Sequence, residues 1–123
     1  MNALPRFLVV GASGVLVNSL ALYALYQLLH VPLALASPLA VEVAIVNNFV
    51  WNDRWTFRRA RPTLARFARF NVVSMLGMLI TTITIWLLVH QIGLHYLLAN
   101  LAGISLATAC NFAINTEWTW RTA

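Results

Sequence analysis

Four long apolar spans constrain this chain more than any other feature of its sequence. They cover about Phe7–Leu29, Leu33–Trp51, Phe70–Ile92 and His95–Ile114. Each holds roughly 19–23 residues, which makes about 30 Å of helix and is enough to cross the hydrocarbon core of a bilayer. Because lipid offers no hydrogen-bond partner to a free backbone group, such spans are predicted to be helices. The sequence therefore predicts an all-α integral membrane protein with four transmembrane helices.

The composition favours lipid over water as the surrounding solvent. Of the 123 residues, 61% are hydrophobic and only 9% are charged, against about 25% charged in an ordinary soluble domain. So few charges could not cover the surface of a small fold in water. Ala34-Leu35-Ala36 resembles a signal-peptidase site. The apolar run before it is longer than the roughly 7–15 residues of a secretory signal, so we expect no cleavage there.

The basic residues indicate how the chain is oriented. Eight arginines and no lysine give a net charge of +5. They lie near the termini and between the second and third spans, whereas the hairpin tips HVPL and QIGLH contain none. This distribution predicts that both termini and the central loop are cytoplasmic, in a multi-pass protein of the inner (plasma) membrane. It indicates lipid contact rather than nucleic-acid binding. The loop stretch PTLARFARF has the pattern of a short surface helix with Leu64, Phe67 and Phe70 toward lipid.

One phrase occurs twice, as NNFVWNDRWTFR at residues 47–58 and as CNFAINTEWTWR at residues 110–121, with six of twelve positions identical. Residues 6–58 align with residues 69–121 without a gap, at a constant offset of 63 positions. We therefore predict a single domain over residues 1–123 that contains two duplicated helical hairpins. Each hairpin crosses the membrane twice, so the two copies are expected to be parallel repeats.

The repeated phrase supplies the candidate substrate-binding residues. Asn48 and Asn52 are four residues apart and share a helix face, as do Asn111 and Asn115. If the hairpins come together, the four amides would line one cavity at the cytoplasmic leaflet and donate to phosphate oxygens or sugar hydroxyls. The alternative is hydrogen bonding across a helix interface, which contributes about 0.6–2 kcal/mol.

Tryptophan and arginine complete the candidate site. Trp55 and Trp118 come one turn after the amides, where they could stack on a sugar ring or anchor the helix at the membrane surface. Arg58 and Arg121 end each copy, and a guanidinium can hold phosphate through two hydrogen bonds or simply orient the helix. The mismatch of Asn47 with Cys110 breaks the symmetry of the two half-sites.

Glu42 lies in PLAVEVAIV, roughly at mid-membrane. An ionisable group at that depth costs about 2.5–3.5 kcal/mol on insertion scales, which makes it a candidate for function. It could be a protonatable coupling site or a ligand for a sugar hydroxyl. It could instead be neutral and hydrogen-bonded to Asn18, Ser19 or a threonine of the 81–84 run.

Other chemistry has little support in the sequence. One cysteine and three scattered histidines give no metal site. No nucleophile elbow, phosphate-binding glycine loop or pair of catalytic carboxylates is present, so we expect neither a cofactor nor an independent enzyme. Small residues in the first and fourth spans are expected to allow close helix packing: Gly11, Ser13, Gly14, Gly103 and Ser105.

The start RFLVVGASGVLVN, the opening RFARFNVVS of the second half and the two copies of the phrase resemble the GtrA family over about residues 6–121. This family comprises small four-helix membrane proteins, also found fused to polyprenyl-phosphate sugar synthases such as dolichol-phosphate mannose synthase. The resemblance implies a role in cell-envelope polysaccharide or glycolipid assembly. It also implies a polyprenyl-phosphate-linked sugar, membrane lipid and a glycosyltransferase as partners, and it brings no catalytic residues.

Three functions remain open at this point. The first is flipping of a lipid-linked sugar between leaflets. The second is a non-transporting scaffold that recruits or orients a glycosyltransferase. The third is a small multidrug exporter, which is less favoured because the buried acid lies in the second span and the charge bias argues against dual topology. Four helices enclose little space, so a homo-oligomer is also expected.

Overall fold

The structure is a computed structural model that describes residues 2–121, and within that range it contains helices and no strand. Three of its helix ends continue as π-helical turns. The elements are α1 (Ala3–Tyr23) with a π turn at Ala24–Leu28, α2 (Leu33–Trp51) with a π turn at Asn52–Thr56, α3 (Leu64–His90), and α4 (Tyr96–Ile114) with a π turn at Asn115–Thr119. The predicted all-α fold with four membrane-spanning helices is confirmed.

All four helices are long and apolar enough to cross a membrane. They contain 24–27 residues when the π turns are included, which corresponds to about 36–40 Å at 1.5 Å per residue. That is longer than the roughly 30 Å hydrocarbon core. The helix ends, including the repeated phrase, therefore reach the head-group region.

The chain divides after Thr63 into two compact units, called hairpin 1 and hairpin 2 below. Their turns share two backbone features. His30 in hairpin 1 and Gly93 in hairpin 2 both adopt left-handed conformations, with φ of 57° and 80°, and they are 63 positions apart. In each turn the next N–H bonds to a carbonyl six positions back, at 2.8 Å from Val31 and 2.9 Å from Leu94. The repeat found in the sequence therefore extends to these features of the turns, although the π turn at Ala24–Leu28 has no counterpart at the end of α3.

Small residues at every fourth position form the buried face of the second helix in each hairpin. They are Ala36, Ala40 and Ala44 in α2, and Ala99, Gly103 and Ala107 in α4. In hairpin 2 a Cβ at Gly103 would lie only 3.1 Å from the backbone oxygen of Thr81, so the two helices are in close contact there. Small residues allow such contact in membranes, where the hydrophobic effect does not drive helices together.

The small residues that were predicted to mediate packing divide into two groups. Gly14 and Gly103 are buried between the helices of their own hairpin, as expected. Gly11 has no atom within 4 Å of a built Cβ, and Ser105 is exposed and donates to the Leu101 carbonyl at 2.8 Å. The prediction that Gly11 and Ser105 mediate close helix packing is therefore wrong within hairpins 1 and 2.

The prediction of a separate short surface helix at PTLARFARF is also wrong, because the residues from Leu64 onward form the first turns of α3. Leu64 is 82% exposed, but Phe70 is only 4% exposed, and its ring contacts the edge of Trp120 at a centroid distance of 5.5 Å. Arg66 is buried as well. A surface helix and the start of a membrane-spanning helix share the same 3.6-residue periodicity, so the pattern alone could not distinguish them.

Candidate functional site

Both copies of the repeated phrase end the second helix of their hairpin with the same wide turn. The N–H of Phe57 bonds to the carbonyl of Asn52 at 2.8 Å, and that of Trp120 bonds to the carbonyl of Asn115 at 3.0 Å. These five-residue spacings define π-helical turns at equivalent positions. Such turns are rare and occur frequently at functional sites. Their recurrence makes this end of each hairpin the candidate site.

The second asparagine of each copy is enclosed within its own hairpin. Asn52 is 2% exposed and Asn115 is 1% exposed. In both cases the Oδ1 atom accepts a hydrogen bond of 2.7 Å from the hydroxyl of the threonine four residues later, Thr56 or Thr119. This pair stabilises the π turn and keeps the amide oxygen away from the outside. Substrate binding by Asn52 and Asn115 stays a prediction, and it requires the turn to open.

The first asparagine of each copy rests on a glycine of the neighbouring helix. A Cβ at Gly14 would overlap the side-chain amide of Asn48, and a Cβ at Gly77 would lie 2.6 Å from Nδ2 of Asn111. Both glycines are buried and both asparagines are half-buried. A larger residue at these positions would displace the amide, which packs directly against the backbone of the facing helix.

An arginine from the first helix of each hairpin contacts the end of the second. The Nη1 atom of Arg6 donates to the Trp55 carbonyl at 3.2 Å, and that of Arg69 donates to the Trp118 carbonyl at 3.4 Å. Each guanidinium carbon also lies over the same indole ring, 5.6 Å and 5.5 Å from the centroid. Carbonyls at a helix C-terminus lack helical partners and carry partial negative charge, so a cation stabilises them. One face of each indole is therefore occupied, and sugar stacking on the other face stays a prediction.

We call these three contacts the end cluster: the asparagine on glycine, the asparagine with threonine, and the arginine on tryptophan. Every one of them occurs in both hairpins at an offset of 63 positions. Six of the predicted site residues belong to it: Asn48, Asn52, Asn111, Asn115, Trp55 and Trp118. The end cluster explains why the phrase is repeated, because each part of it joins residues within a single hairpin.

The hairpins differ at the residue before the first asparagine. In hairpin 1 the Nδ2 atom of Asn47 donates to Ser13 Oγ at 3.1 Å and to Asn48 Oδ1 at 3.2 Å. Hairpin 2 has Leu76 and Cys110 at the positions of Ser13 and Asn47. There the Oδ1 atom of Asn111 is buried and, among residues 2–121, has no hydrogen-bond partner. The sequence predicted that the two half-sites differ at Asn47 and Cys110. In the structure this difference is the absence, in hairpin 2, of a hydrogen bond to the Oδ1 atom of the first asparagine.

Replacing Cys110 by asparagine should restore that hydrogen bond and stabilise the protein. A buried acceptor without a partner costs about 1–3 kcal/mol, while hydrogen bonds between membrane helices average about 0.6 kcal/mol. We expect Cys110→Asn to raise the free energy of unfolding by about 0.5–1.5 kcal/mol, within the usual net value of one hydrogen bond, measured by thermal unfolding in detergent. Cys110→Ala is the control and should give no increase. Equal melting temperatures for the two variants would contradict this assignment.

Hairpin 1 contains an open cleft of about 590 Å³ beside its π turn. The lining residues are Val9, Val10 and Ser13 of α1, and Trp51, Arg54 and Trp55 at the end of α2. The volume lies within the range of about 300–1,000 Å³ found for small-molecule sites, and such sites are typically apolar with a few polar groups. Here the polar groups are one hydroxyl and one guanidinium. Trp51 is not repeated and carried no specific signal in the sequence, and Ser13 was predicted to mediate packing.

Two arginines of hairpin 1 are available to a ligand. Arg54 and Arg58 are exposed, and neither makes a hydrogen bond or an ion pair through its side chain within the part of the chain from residue 2 to residue 121. Arg58 adopts a left-handed conformation with φ of 54°. It thereby ends the helix, a position that usually favours glycine.

Hairpin 2 has a different charge arrangement at the same two positions. Glu117 occupies the place of Arg54, and Arg121 occupies the place of Arg58. Their side chains form an ion pair of 2.7 Å that is about two-thirds exposed. An exposed pair contributes only about 0–1 kcal/mol to stability, but it neutralises the charge at this site. Phosphate binding by Arg58 and Arg121 stays a prediction.

The remaining predictions concern Glu42, the single cavity lined by the four asparagine amides, and metal binding. Glu42 is half-buried in α2, and its role stays a prediction. The convergence of all four amides in one cavity involves both hairpins together and also stays a prediction. Among residues 2–121, no group of three or more His, Cys, Asp or Glu side chains is placed to hold a metal ion.

Two similar hairpins, each with two membrane-spanning helices and the same end cluster, define a duplicated-hairpin membrane protein. The sequence model of the family described as GtrA/DPMS, transmembrane domain, matches residues 6–120. The chain therefore belongs to this family, as the resemblance predicted, and it is a multi-pass membrane protein.

Two relatives place the chain in context. It is 39% identical over 124 residues to a dolichol-phosphate mannosyltransferase of Pyrococcus furiosus, in an alignment that covers 99% of this chain and 35% of the relative. It is 28% identical over 119 residues to the uncharacterized membrane protein YngA of Bacillus subtilis, covering 96% of this chain and 79% of that protein. The chain thus spans about a third of the length of the mannosyltransferase.

Proposed function

We propose that the protein moves a polyprenyl-phosphate-linked sugar across the inner (plasma) membrane for cell-envelope polysaccharide or glycolipid synthesis. The observation that carries the proposal is the cleft at the end of hairpin 1, in a chain whose relative is a dolichol-phosphate mannosyltransferase. A lipid-linked sugar combines an anionic phosphate, a hydroxyl-rich ring and an apolar tail. A free guanidinium suits the phosphate, indole faces suit the sugar ring, and the exposed apolar surface of the helices suits the tail.

The proposal also assigns a side of the membrane. The arginine-rich helix ends lie in the cytoplasm according to the positive-inside rule. The head group enters the cleft from the cytoplasmic leaflet, drawn by the cations there, while the tail stays in lipid. Flipping makes and breaks no covalent bond, so the protein acts as a carrier and not as an enzyme. A homo-oligomer would enclose the head group more fully than four helices.

Transbilayer movement in reconstituted vesicles tests this function directly. The purified protein is placed in liposomes that contain radiolabelled short-chain dolichyl-phosphate mannose, without any glycosyltransferase. A membrane-impermeant oxidant added outside reports how fast label from the inner leaflet becomes accessible. We expect much faster movement than in protein-free liposomes. Fluorescent phosphatidylcholine serves as the control for general leakage and should not move faster. Equal rates with and without protein would count against the proposal.

A second candidate is a scaffold that holds a glycosyltransferase and its lipid-linked substrate. The observation in its favour is that this chain corresponds to only 35% of the dolichol-phosphate mannosyltransferase. In that relative, the matching region is thus joined to a longer chain. The exposed arginines at this end of the hairpins would supply the contact surface.

The scaffold candidate needs a test that leaves the hairpins intact. Arg69 binds the Trp118 carbonyl and Arg66 is buried, so changing either would damage the fold. Arg61 is exposed and is the better choice. Loss of synthase pull-down in Arg61→Glu, with vesicle transport retained, would separate docking from flipping. Retained pull-down together with lost sugar export would contradict the scaffold role.

The small multidrug exporter is the third candidate and rests only on Glu42. The family match favours lipid-linked sugars over cationic drugs as substrates. The exporter function would be supported if the wild-type protein showed proton-coupled efflux of a cationic dye and the Glu42→Gln variant did not. We expect no such efflux.

A further inference from the structure

The cleft of hairpin 1 has no chemical equivalent in hairpin 2. Three of its six lining positions are unchanged across the repeat and carry two valines and one tryptophan. The other three change: Ser13 corresponds to Leu76, Trp51 to Ile114, and Arg54 to Glu117. A hydroxyl, an indole and a cation are thus replaced by two aliphatic groups and an anion.

The charges of the two hairpins also differ, and the difference again favours a ligand site in hairpin 1. Hairpin 1 presents Arg54 and Arg58, whose side chains have no ion-pair partner among residues 2–121. At the corresponding places in hairpin 2, Glu117 and Arg121 pair with each other at 2.7 Å. An anionic group therefore meets two free cations at hairpin 1 and a neutralised pair at hairpin 2. At head-group depth, where the dielectric constant is below that of water, this difference favours hairpin 1 for phosphate.

The hydrogen bonds behind the cleft are also found in hairpin 1 alone. Ser13 lines the cleft and accepts from Asn47, which also donates to Asn48. This connects the cleft wall to the end cluster by two hydrogen bonds. Hairpin 2 lacks both bonds, since leucine and cysteine occupy the positions of Ser13 and Asn47.

The pattern of retained and changed residues separates fold from ligand chemistry. The end cluster is present in both hairpins, with its hydrogen-bond distances reproduced within about 0.2 Å. Both hairpins adopt the same π turn, so that turn does not dictate which residues occupy positions 13, 51 and 54. Residues that the fold does not require, but that gather one cation, one hydroxyl and one indole around a cleft, indicate a ligand site.

We propose that hairpin 1 alone binds the phosphate and sugar of the lipid substrate, and that hairpin 2 keeps the fold without this site. Arg54 holds the phosphate, and Trp51 and Trp55 flank the sugar. The Ser13 hydroxyl donates to the Val10 carbonyl at 2.6 Å, so it serves the sugar hydroxyls as an acceptor. The occupant is the polyprenyl-phosphate-linked sugar, so this inference rests on the proposed function and assigns its binding site to one half of the repeat.

Equilibrium binding tests the assignment independently of transport. The full chain in nanodiscs is titrated with short-chain dolichyl-phosphate mannose, and binding is followed by tryptophan fluorescence. Each substitution introduces the residue that the other hairpin already has at the same place: Ser13→Leu, Trp51→Ile, Arg54→Glu and, in hairpin 2, Glu117→Arg. These variants are expected to fold, because each new side chain already occurs at the equivalent position of the same turn. Thermal unfolding of every variant checks this.

We expect Arg54→Glu to weaken binding at least tenfold, Arg54→Lys to retain part of it, and Glu117→Arg not to weaken it. Competition with dolichyl phosphate, dolichol and phosphatidylglycerol identifies the group that is recognised. Dolichyl phosphate should compete, dolichol should not, and phosphatidylglycerol should compete weakly. Equal affinities for wild type and Arg54→Glu, or equal competition by phosphatidylglycerol, would overturn the assignment.

The outcomes also separate this inference from the proposed function. Arg54-dependent binding without transbilayer movement would reject flipping and keep the binding site. Transbilayer movement with unchanged binding by Arg54→Glu would reject the site in hairpin 1 and keep flipping.

Discussion

Gly14→Ala is expected to lower the free energy of unfolding by about 1–3 kcal/mol, the usual effect of overpacking a close contact. A Cβ at this position would overlap the Asn48 amide. The amide would have to leave its place on α1 and lose its hydrogen bond with Asn47. Since this contact belongs to the end cluster, the Arg6 contact with Trp55 should weaken with it. Chemical or thermal unfolding of the purified protein in detergent measures the effect.

Gly11→Ala is the matched control in the same helix. No atom lies within 4 Å of a Cβ built at Gly11, so the added methyl group meets open space. Alanine is about 0.5–1 kcal/mol more favourable than glycine inside a helix. The control variant should therefore be as stable as the wild type or slightly more stable. Similar destabilisation by both substitutions would mean that the Asn48 contact does not hold hairpin 1 together.

Arg58→Gly is expected to reduce transport by a factor of about 10–150 while leaving stability nearly unchanged. Arg58 has φ of 54°, a conformation that glycine adopts without strain, so the helix end should survive the substitution. The guanidinium is lost, and a hydrogen bond to a charged group contributes about 1.5–3 kcal/mol. Each 1.36 kcal/mol corresponds to a tenfold change in rate. The vesicle assay and a melting curve on the same preparation measure both quantities.

Arg121→Gly is the comparison in hairpin 2. Its guanidinium is paired with Glu117 at 2.7 Å, so less positive charge is available to a substrate there. We expect a clearly smaller loss of transport than in Arg58→Gly. An equal loss for the two variants would contradict the unequal roles of the hairpins. A large drop in melting temperature for Arg58→Gly would instead assign that residue to the fold.

The sequence was sufficient for the fold because the physical constraint is severe. Lipid requires helices, and four spans of sufficient length leave few alternatives. The offset of 63 positions also predicted that two hairpins would be alike. The structure adds that the left-handed residues His30 and Gly93 lie at equivalent positions. The start of α3 was placed wrongly because an arginine-containing amphipathic pattern fits both a surface helix and a helix end within a hairpin.

The site was harder to predict because sequence spacing shows which residues share a helix face but not what lies opposite. The sequence predicts Asn48 as a site residue and Gly14 as a packing residue, yet only the structure brings them into contact. Asn52 is predicted to bind substrate, and the spacing did not show that its amide oxygen accepts a hydrogen bond from Thr56. Trp51 was not predicted as a site residue because the second copy of the phrase has isoleucine at the equivalent position. The repeated residues are those that stabilise each hairpin end, whereas the cleft is formed partly by residues that are not repeated, namely Ser13, Trp51 and Arg54.

The end cluster and the cleft have complementary roles in this account. The cluster fixes the position of the Trp55 indole through Arg6, and that indole is one wall of the cleft. A wall that is already ordered loses little entropy when a ligand binds. Stability of the hairpin end and affinity for the head group should therefore change together when Arg6 is altered, and separately when Arg54 is altered.

The central claim is that the phosphate of a lipid-linked sugar lies against hairpin 1. A nitroxide label at Val15 or at Met78 tests it most directly, because these residues are exposed and 63 positions apart. The native Cys110 is replaced by alanine, and the phosphorus NMR signal of short-chain dolichyl-phosphate mannose is recorded with each labelled protein. We predict stronger broadening of that signal by the label at position 15, which lies on the helix that supplies Ser13 to the cleft. Equal broadening from both positions, or stronger broadening from position 78, would contradict the account.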